Sequence, residues 1–324
     1  MNIGIVGCGA YGLALASILN ENKCNVVMWT KFKEEKELLD KERCDNKKLN
    51  GYKIPKEIKF TNDMKDVVCG MDLIIIAIPA AFIEDSIKEL SEYYKNEPIC
   101  IASKGIQKAS GLFLSDILKK YISIKNLAVI SGPSFAIDIV NKVPIGLSLA
   151  SKNKSVANLV KDCLQNNYIK IRITNDITGV ELCGAIKNVI AIAAGMLDGM
   201  NLPESTKAMF ITESLHDIMS LISALGGNER TILSYAGFGD LLLTCTSVKS
   251  RNFSFGRLIG SKASKEEIEK YKNETTIEGL YTLDSVYKLT NMKHIKIPII
   301  NLIYDIIFNN VDCQKLLEFL IEKE

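Results

Sequence analysis

The chain has 324 residues, 47% of them hydrophobic, enough to bury a large core; at roughly 100–200 residues per domain it should form two domains. Its 40 Lys and Arg stand against 38 Asp and Glu for a net charge of +2, so bulk charge supports neither a nucleic-acid partner nor attachment to a membrane surface. The nine cysteines include no C-x-x-C pair and the only histidines are His216 and His294, which argues for no metal and for reduced thiols in a cytoplasmic setting.

The first apolar run begins at Ile3 with no basic leader, so no signal peptide is expected. "LIIIAIPAAFI" (residues 73–83) is shorter than the ~20 residues of a spanning helix, so no membrane insertion is expected. Up to residue 175, short Ile- and Val-rich runs alternate with helical patterns: "IGIVG", "CNVVMWT", "DLIIIAIP", "PICIAS", "LAVISGP" and "IGLSLAS" against segments such as "AYGLALASILNEN" and "AFIEDSIKELSEYY". Uninterrupted apolar strands alternating with helices imply a mostly parallel sheet covered on both faces. The expected fold is therefore α/β, a Rossmann-type doubly wound sheet over residues 1–175, followed by an all-α domain over residues 176–324. The segment "ITGVELCGAIKNVIAIAAGMLDGM" is apolar nearly all round and reads as a buried helix. "KASKEEIEKYKNE" (residues 262–274) reads as a solvated helix.

Within "GIVGCGAYGLALA", Gly7, Gly9 and Gly12 fall between the first strand and the first helix. There Gly7 permits the tight turn, Gly9 lets the backbone approach a pyrophosphate, and Gly12 lets the helix pack on the strand. The helix N-terminus then offers N–H groups and a positive dipole end to phosphate, so a dinucleotide cofactor is expected. The second strand ends "VVMWTKFKEE", with Lys31 and Lys33 rather than an acid. A base there suits the 2′-phosphate of NADP where an acid would bind the NAD ribose, so NADP is modestly favoured over NAD; Lys31 could also be an ordinary surface lysine.

"SKG", with Lys104, and "SGPSFA", with Gly132, Ser134 and Ala136, follow strands at the sheet end where ligands gather, though each could be a plain turn. Lys187 projects from a helix face of Val180, Cys183, Gly184, Ala191 and Ala194. A charged amine there is costly unless paired or functional, and desolvation and nearby cations lower its pKa toward that of a general base. Its alternative is an ion-paired or snorkelling structural lysine. In "GFGDLLLTCTSVKSRN" (residues 237–252), Asp240 could cap a helix, while Arg251 offers a planar fork for phosphate and Asn252 both donor and acceptor.

Taken in order, "GCGAYGLALA", "ASKGI", "VISGPSFA", "GAIKNVIAIAAGMLDG", "AGFGDLLLTCTSVKSRN" and the "IEG" around Glu278 resemble the bacterial-type NAD(P)-dependent sn-glycerol-3-phosphate dehydrogenase family through most of the chain. The resemblance implies a Rossmann domain, a helical domain, an active site in the cleft between them, and interconversion of dihydroxyacetone phosphate and sn-glycerol 3-phosphate for phospholipid synthesis. It implies Lys187 as general base, with Lys104 and Asp240 completing the catalytic set. Substrate would be held by Lys104, Gly132, Ser134, Lys187, Asp240, Ser250, Arg251 and Asn252, with Arg251 the phosphate ligand. Ala10, Tyr11, Lys31, Lys104, Ala136, Arg251, Thr276 and Glu278 would contact the cofactor beside the glycines. A homodimer is expected, with a small phosphorylated polyol as its substrate partner. The chain departs from the family at Pro203, at Glu213-Ser214 where the family usually has Arg-Gly, and at "NETTIEGL", where Thr276 replaces an apolar position.

Competing readings are a β-hydroxy-acid or ketopantoate-type dehydrogenase of the same fold, and a nucleotide-sensing protein without chemistry. The "KSRN" run favours a phosphate-bearing substrate over the first. The presence of Lys187, Lys104 and Asp240 together speaks against the second.

Overall fold

The computed structural model describes residues 1–45, 49–107 and 111–322. The chain forms two compact units: Met1–Lys104 with Leu114–Ile177, and Gly105–Phe113 with Thr178–Glu324. This differs from a single cut at residue 175 because Gly105–Phe113 goes with the second unit, where Ile106 is buried in the core and Phe113 packs against it.

The first unit contains strands β1 (Asn2–Val6), β2 (Asn25–Trp29), β3 (Cys44–Asp45), β4 (Tyr52–Lys53), β5 (Lys59–Thr61), β6 (Leu73–Ile76), β7 (Ile99–Ile101), β8 (Leu127–Ser131), β9 (Ile145–Ala150) and β10 (Ile169–Thr174). An eight-stranded sheet runs in the order β10-β9-β8-β7-β6-β1-β2-β5, and β3 pairs with β4 apart from it. Neighbours in the large sheet are parallel except β8 and β9. The chain moves outward from β1 to β2 and β5, then returns to place β6 on the other side of β1. The order therefore reverses at β1, which puts a ligand crevice at the carboxyl ends of β1 and β6. All four residues of β6 and all of β1 after Asn2 are buried, as a sheet covered on both faces requires. The covering helices are α1 (Ala10–Glu21), α2 (Lys33–Glu42), α3 (Ile83–Ser91), α4 (Leu114–Tyr121), α5 (Ala136–Val140) and α6 (Lys154–Leu164).

The second unit is helical: α7 (Ile177–Gly199), α8 (Glu204–Ala224), α9 (Asp240–Thr246), α10 (Arg251–Gly260), α11 (Lys265–Glu274), α12 (Glu278–Met292), α13 (Pro298–Phe308) and α14 (Lys315–Glu322). Every residue of α7 from Gly179 to Leu197 is buried. By length and composition α7 could cross a membrane, yet its apolar window is wholly enclosed by the protein, which makes it the core helix of this unit. Residues 265–274 form a helix with no buried residue, started by a Ser264–Glu267 capping box, as the charge pattern leads one to expect. Pro203 precedes α8, and Ser214 within α8 is buried with its hydroxyl donating to the Phe210 carbonyl.

Close approach of α7 and α10 fixes the middle of this unit. A Cβ on Gly195 would collide with the Phe253 carbonyl, one on Gly256 with the Ile192 carbonyl, and one on Gly260 with the Met196 carbonyl. Backbone thus meets backbone across the crossing, and neither helix has a side chain to give way. Gly256→Ala is expected to cost about 1–3 kcal/mol or more through overpacking, read as a lower urea midpoint with an unchanged slope.

Candidate active site

At the end of β1, Gly7 takes φ +123 and donates its N–H to the Trp29 carbonyl, turning the chain into α1. A Cβ on Gly12 would strike the Gly7 carbonyl, so this glycine lets α1 close onto the strand. Gly9 differs: a Cβ there would meet no protein atom within 4 Å. Nothing in the protein demands glycine at that point, and the open volume lies at the N-terminus of α1, where Gly9 has no side chain to cap the helix. That space and those N–H groups fit the pyrophosphate of a dinucleotide. Ala10 and Tyr11 form the first turn of α1.

Lys104, Gly132, Ser134 and Tyr11 converge in this unit. The Lys104 amine donates to the Gly132 carbonyl at 3.3 Å and lies 5.7 Å from the centre of the Tyr11 ring. Ser134 donates to the same carbonyl at 3.1 Å and lies 3.1 Å from the Tyr11 hydroxyl. The turn is held from beneath by Ser103, whose hydroxyl donates to the Ile78 carbonyl and accepts the Ile78 N–H, tying the ends of β6 and β7. Ala136 opens α5 immediately beyond. Lys31 is exposed just past β2. Partial burial pushes the Glu89 carboxyl up and the Lys31 cation pulls it down, which sets Lys31 in electrostatic reach of α3.

In the second unit, the Lys187 amine donates to Asp240 Oδ1 at 2.5 Å and to Thr244 Oγ1 at 3.2 Å. Lys187 is 8% exposed and Asp240 1%, so the ion pair is buried. Its geometry comes from an irregular turn at Tyr235–Gly239, where Gly237 leaves helical φ/ψ and Ser234 accepts its N–H. The turn restarts the helix at Asp240, whose carboxylate is directed to Lys187 rather than capping the helix. Thr244, one turn on, donates to the Asp240 carbonyl at 2.5 Å and so offers its lone pairs to the amine. Cys245 lies beside the pair; burial pushes its thiol well up, with the Lys187 charge opposing and the Asp240 charge adding, so it stays protonated.

Of the expected substrate residues, Ser250, Arg251 and Asn252 sit at the start of α10, and the expected cofactor residues Thr276 and Glu278 at the start of α12. Ser250 caps α10 by accepting the Phe253 N–H, and Arg251 is exposed in its first turn. Asn252 is buried, with Oδ1 accepting the Gly279 N–H at 2.9 Å, so its amide NH₂ is the end left for other partners. Glu278 opens α12 and accepts from Asn188 at 3.4 Å; Thr276 is exposed before it.

The sequence matches the family model for the NAD-dependent glycerol-3-phosphate dehydrogenase N-terminus over residues 2–157 and that for its C-terminus over residues 176–318. The chain belongs to the NAD-dependent glycerol-3-phosphate dehydrogenase family. It is 34% identical to a Staphylococcus epidermidis protein named glycerol-3-phosphate dehydrogenase [NAD(P)+], over 99% of this chain and 98% of that one. It is 36% identical to a protein of the same name from a Thermoanaerobacter species, over 95% and 93%. Its fold matches the crystal structure of glycerol-3-phosphate dehydrogenase from Coxiella burnetii with a TM-score of 0.93 at 31% identity, covering 99% of each chain.

As a member of this family the chain has the Rossmann sheet and helical unit that its motifs imply. Within each unit the structure gathers the expected residues: Tyr11, Lys104, Gly132 and Ser134 in the first, Lys187 with Asp240 in the second. Sequence reasoning overlooked Thr244 and Asn188. The available signals were the spacing of Thr244 four residues after Asp240 and the adjacency of Asn188 to Lys187. Gly9→Ala separates ligand space from packing: its φ of −68 suits alanine, so unfolding should shift by less than about 0.5 kcal/mol. NADPH affinity, measured by fluorescence titration, should fall about tenfold or more as the methyl enters the phosphate space.

Proposed function

We propose that this chain interconverts dihydroxyacetone phosphate and sn-glycerol 3-phosphate with NAD(P)H, and that Lys187 is its acid and base. Family membership supports the reaction, and the buried Lys187–Asp240 pair is the observation that carries the residue assignment. The Gly7–Gly12 turn would hold the nicotinamide cofactor, whose chemistry when bound would be hydride transfer to or from substrate C2. Lys187 moves the proton at the C2 oxygen: as an ammonium it donates to that oxygen during reduction, and as an amine it takes the hydroxyl proton during oxidation. The pair with Asp240 holds the ammonium form ready for the reducing direction, and Thr244 fixes the rotamer of the amine. Arg251 takes the phosphate, assisted by the Asn252 amide, whose orientation is set by Gly279. Lys104 and Ser134 bind substrate hydroxyl and carbonyl oxygens, with Gly132, Ser250 and Asp240 shaping their positions. Ala10, Ala136, Thr276 and Glu278 complete the cofactor contacts.

NADP is the preferred cofactor in this reading because Lys31 stands where an acid would select NAD. A cytoplasmic homodimer supplying glycerol 3-phosphate to phospholipid synthesis is its setting, and nine cysteines outside any disulfide suit a reducing compartment.

The test follows loss of NADPH and NADH absorbance with dihydroxyacetone phosphate. Wild type should oxidise NADPH, and Lys187→Met should lower kcat about 10²–10⁴-fold while still binding NADPH. A wild type that oxidises neither cofactor ends the enzyme reading; a fully active Lys187→Met ends only the assignment of the base. Unfolding of Lys187→Met is measured alongside, because removing one partner of a buried pair costs about 3–5 kcal/mol. Lys31→Asp is expected to move the kcat/KM preference from NADPH toward NADH, and an unchanged ratio would remove Lys31 from cofactor selection.

A further inference from the structure

Lysine carries a compact charge on a flexible stem, so an amine that must meet a small substrate at a fixed point needs something to hold it. For Lys104 the holding groups form a closed ring of contacts in the first unit. Its amine donates to the Gly132 carbonyl at 3.3 Å and stands 5.7 Å from the centre of the Tyr11 ring, within reach of a cation–π attraction. Ser134 has one hydroxyl proton, and it goes to the Gly132 carbonyl at 3.1 Å. The 3.1 Å contact between Ser134 and Tyr11 is therefore donated by the Tyr11 phenol. Tyr11 thus touches the ring at two points: its aromatic face meets Lys104, and its hydroxyl is anchored by Ser134.

We propose that Tyr11 is the positioning residue for Lys104, holding the amine against its ring while the Ser134 contact fixes the ring itself. The inference rests on the reading of Lys104 as a substrate ligand. It gives Tyr11 a duty that a residue contacting only the cofactor would lack. The hydroxyl is the distinguishing part: without it the ring can pivot about χ1, and the amine loses a fixed seat.

Two measurements on the full-length protein test it. In the first, lysines are converted to ¹³C-dimethyl-lysines, and the Lys104 resonance is assigned by its disappearance in Lys104→Arg. Ring current should shift this resonance upfield in wild type and in Tyr11→Trp. The shift should weaken in Tyr11→Phe and vanish in Tyr11→Leu. A resonance unmoved by Tyr11→Leu overturns the proposal.

In the second, Tyr11→Leu should raise KM for dihydroxyacetone phosphate about tenfold with a smaller change in kcat, and Tyr11→Phe about threefold. In a Lys104→Met background Tyr11→Leu should add almost nothing, because the contact it removes is already gone. Independent, multiplicative effects, or a rise confined to KM for NADPH, would make Tyr11 a cofactor residue only and defeat the proposal. Should Lys104→Met itself leave KM unchanged, the substrate role of Lys104 falls, while the resonance shift still decides whether Tyr11 seats the amine.

Discussion

An ammonium buried on an apolar helix is the constraint around which the second unit is organised. Lys187 sits in a run of α7 whose every neighbour is buried, where an unpaired charge would be prohibitively costly. Its compensation is the Asp240 carboxylate at 2.5 Å, which must itself be buried to reach it. That requirement explains the irregular turn ahead of α9. A regular helix running through residues 235–239 would carry Asp240 on a different rotation, whereas the break at Gly237 restarts the helix with its first carboxylate facing inward. Thr244 completes the arrangement by donating to its own helix backbone and accepting from the amine. A buried pair of this kind is a poor source of stability, since well-packed apolar residues often do as well. In the proposed reaction the pair has a use beyond stability, as the seat of the amine that moves the proton.

The close crossing of α7 and α10 serves the same end. With backbone against backbone, α10 lies in a fixed register on α7, and its first turn, carrying Arg251 and Asn252, follows. Asn252 then reaches the Gly279 N–H at the start of α12, so helices that are distant in sequence share one rigid junction. Small residues at the crossing thus do positional work for groups several residues away.

Much of this was legible in the residues. The strands β1, β2 and β6 to β9 stand out because burial on both faces demands continuous Ile and Val, and the Gly7–Gly12 turn because Gly7 and Gly12 each answer a steric need of the protein while Gly9 leaves open space. β5 and β10 escaped notice: one is three residues long, and the other alternates buried and exposed positions as an edge strand does. Lys187 was visible as an anomaly, but its partner lies 53 residues away, and Asp240 by itself looks like a helix cap. Asn252 and Ser250 read as polar side chains for a ligand; the Ser250 oxygen is engaged locally as the cap of α10, and only tertiary structure shows that the Asn252 oxygen is taken by the Gly279 N–H. The α7–α10 crossing has a trace in the one-turn spacing of Gly195 with Gly199 and of Gly256 with Gly260, a signal of close helix approach that sequence reasoning overlooked.

The excursion of Gly105–Phe113 into the second hydrophobic core carries a consequence for how such a protein can be taken apart. A fragment starting at Thr178 would lack Ile106 and Phe113, and one ending at Ile177 would leave those side chains with no apolar surroundings. The helical half therefore cannot finish its interior from contiguous polypeptide. Synthesis must deliver a piece of it early and hold that piece in waiting, and recombination that swaps one half for a stranger's must carry the excursion along with it.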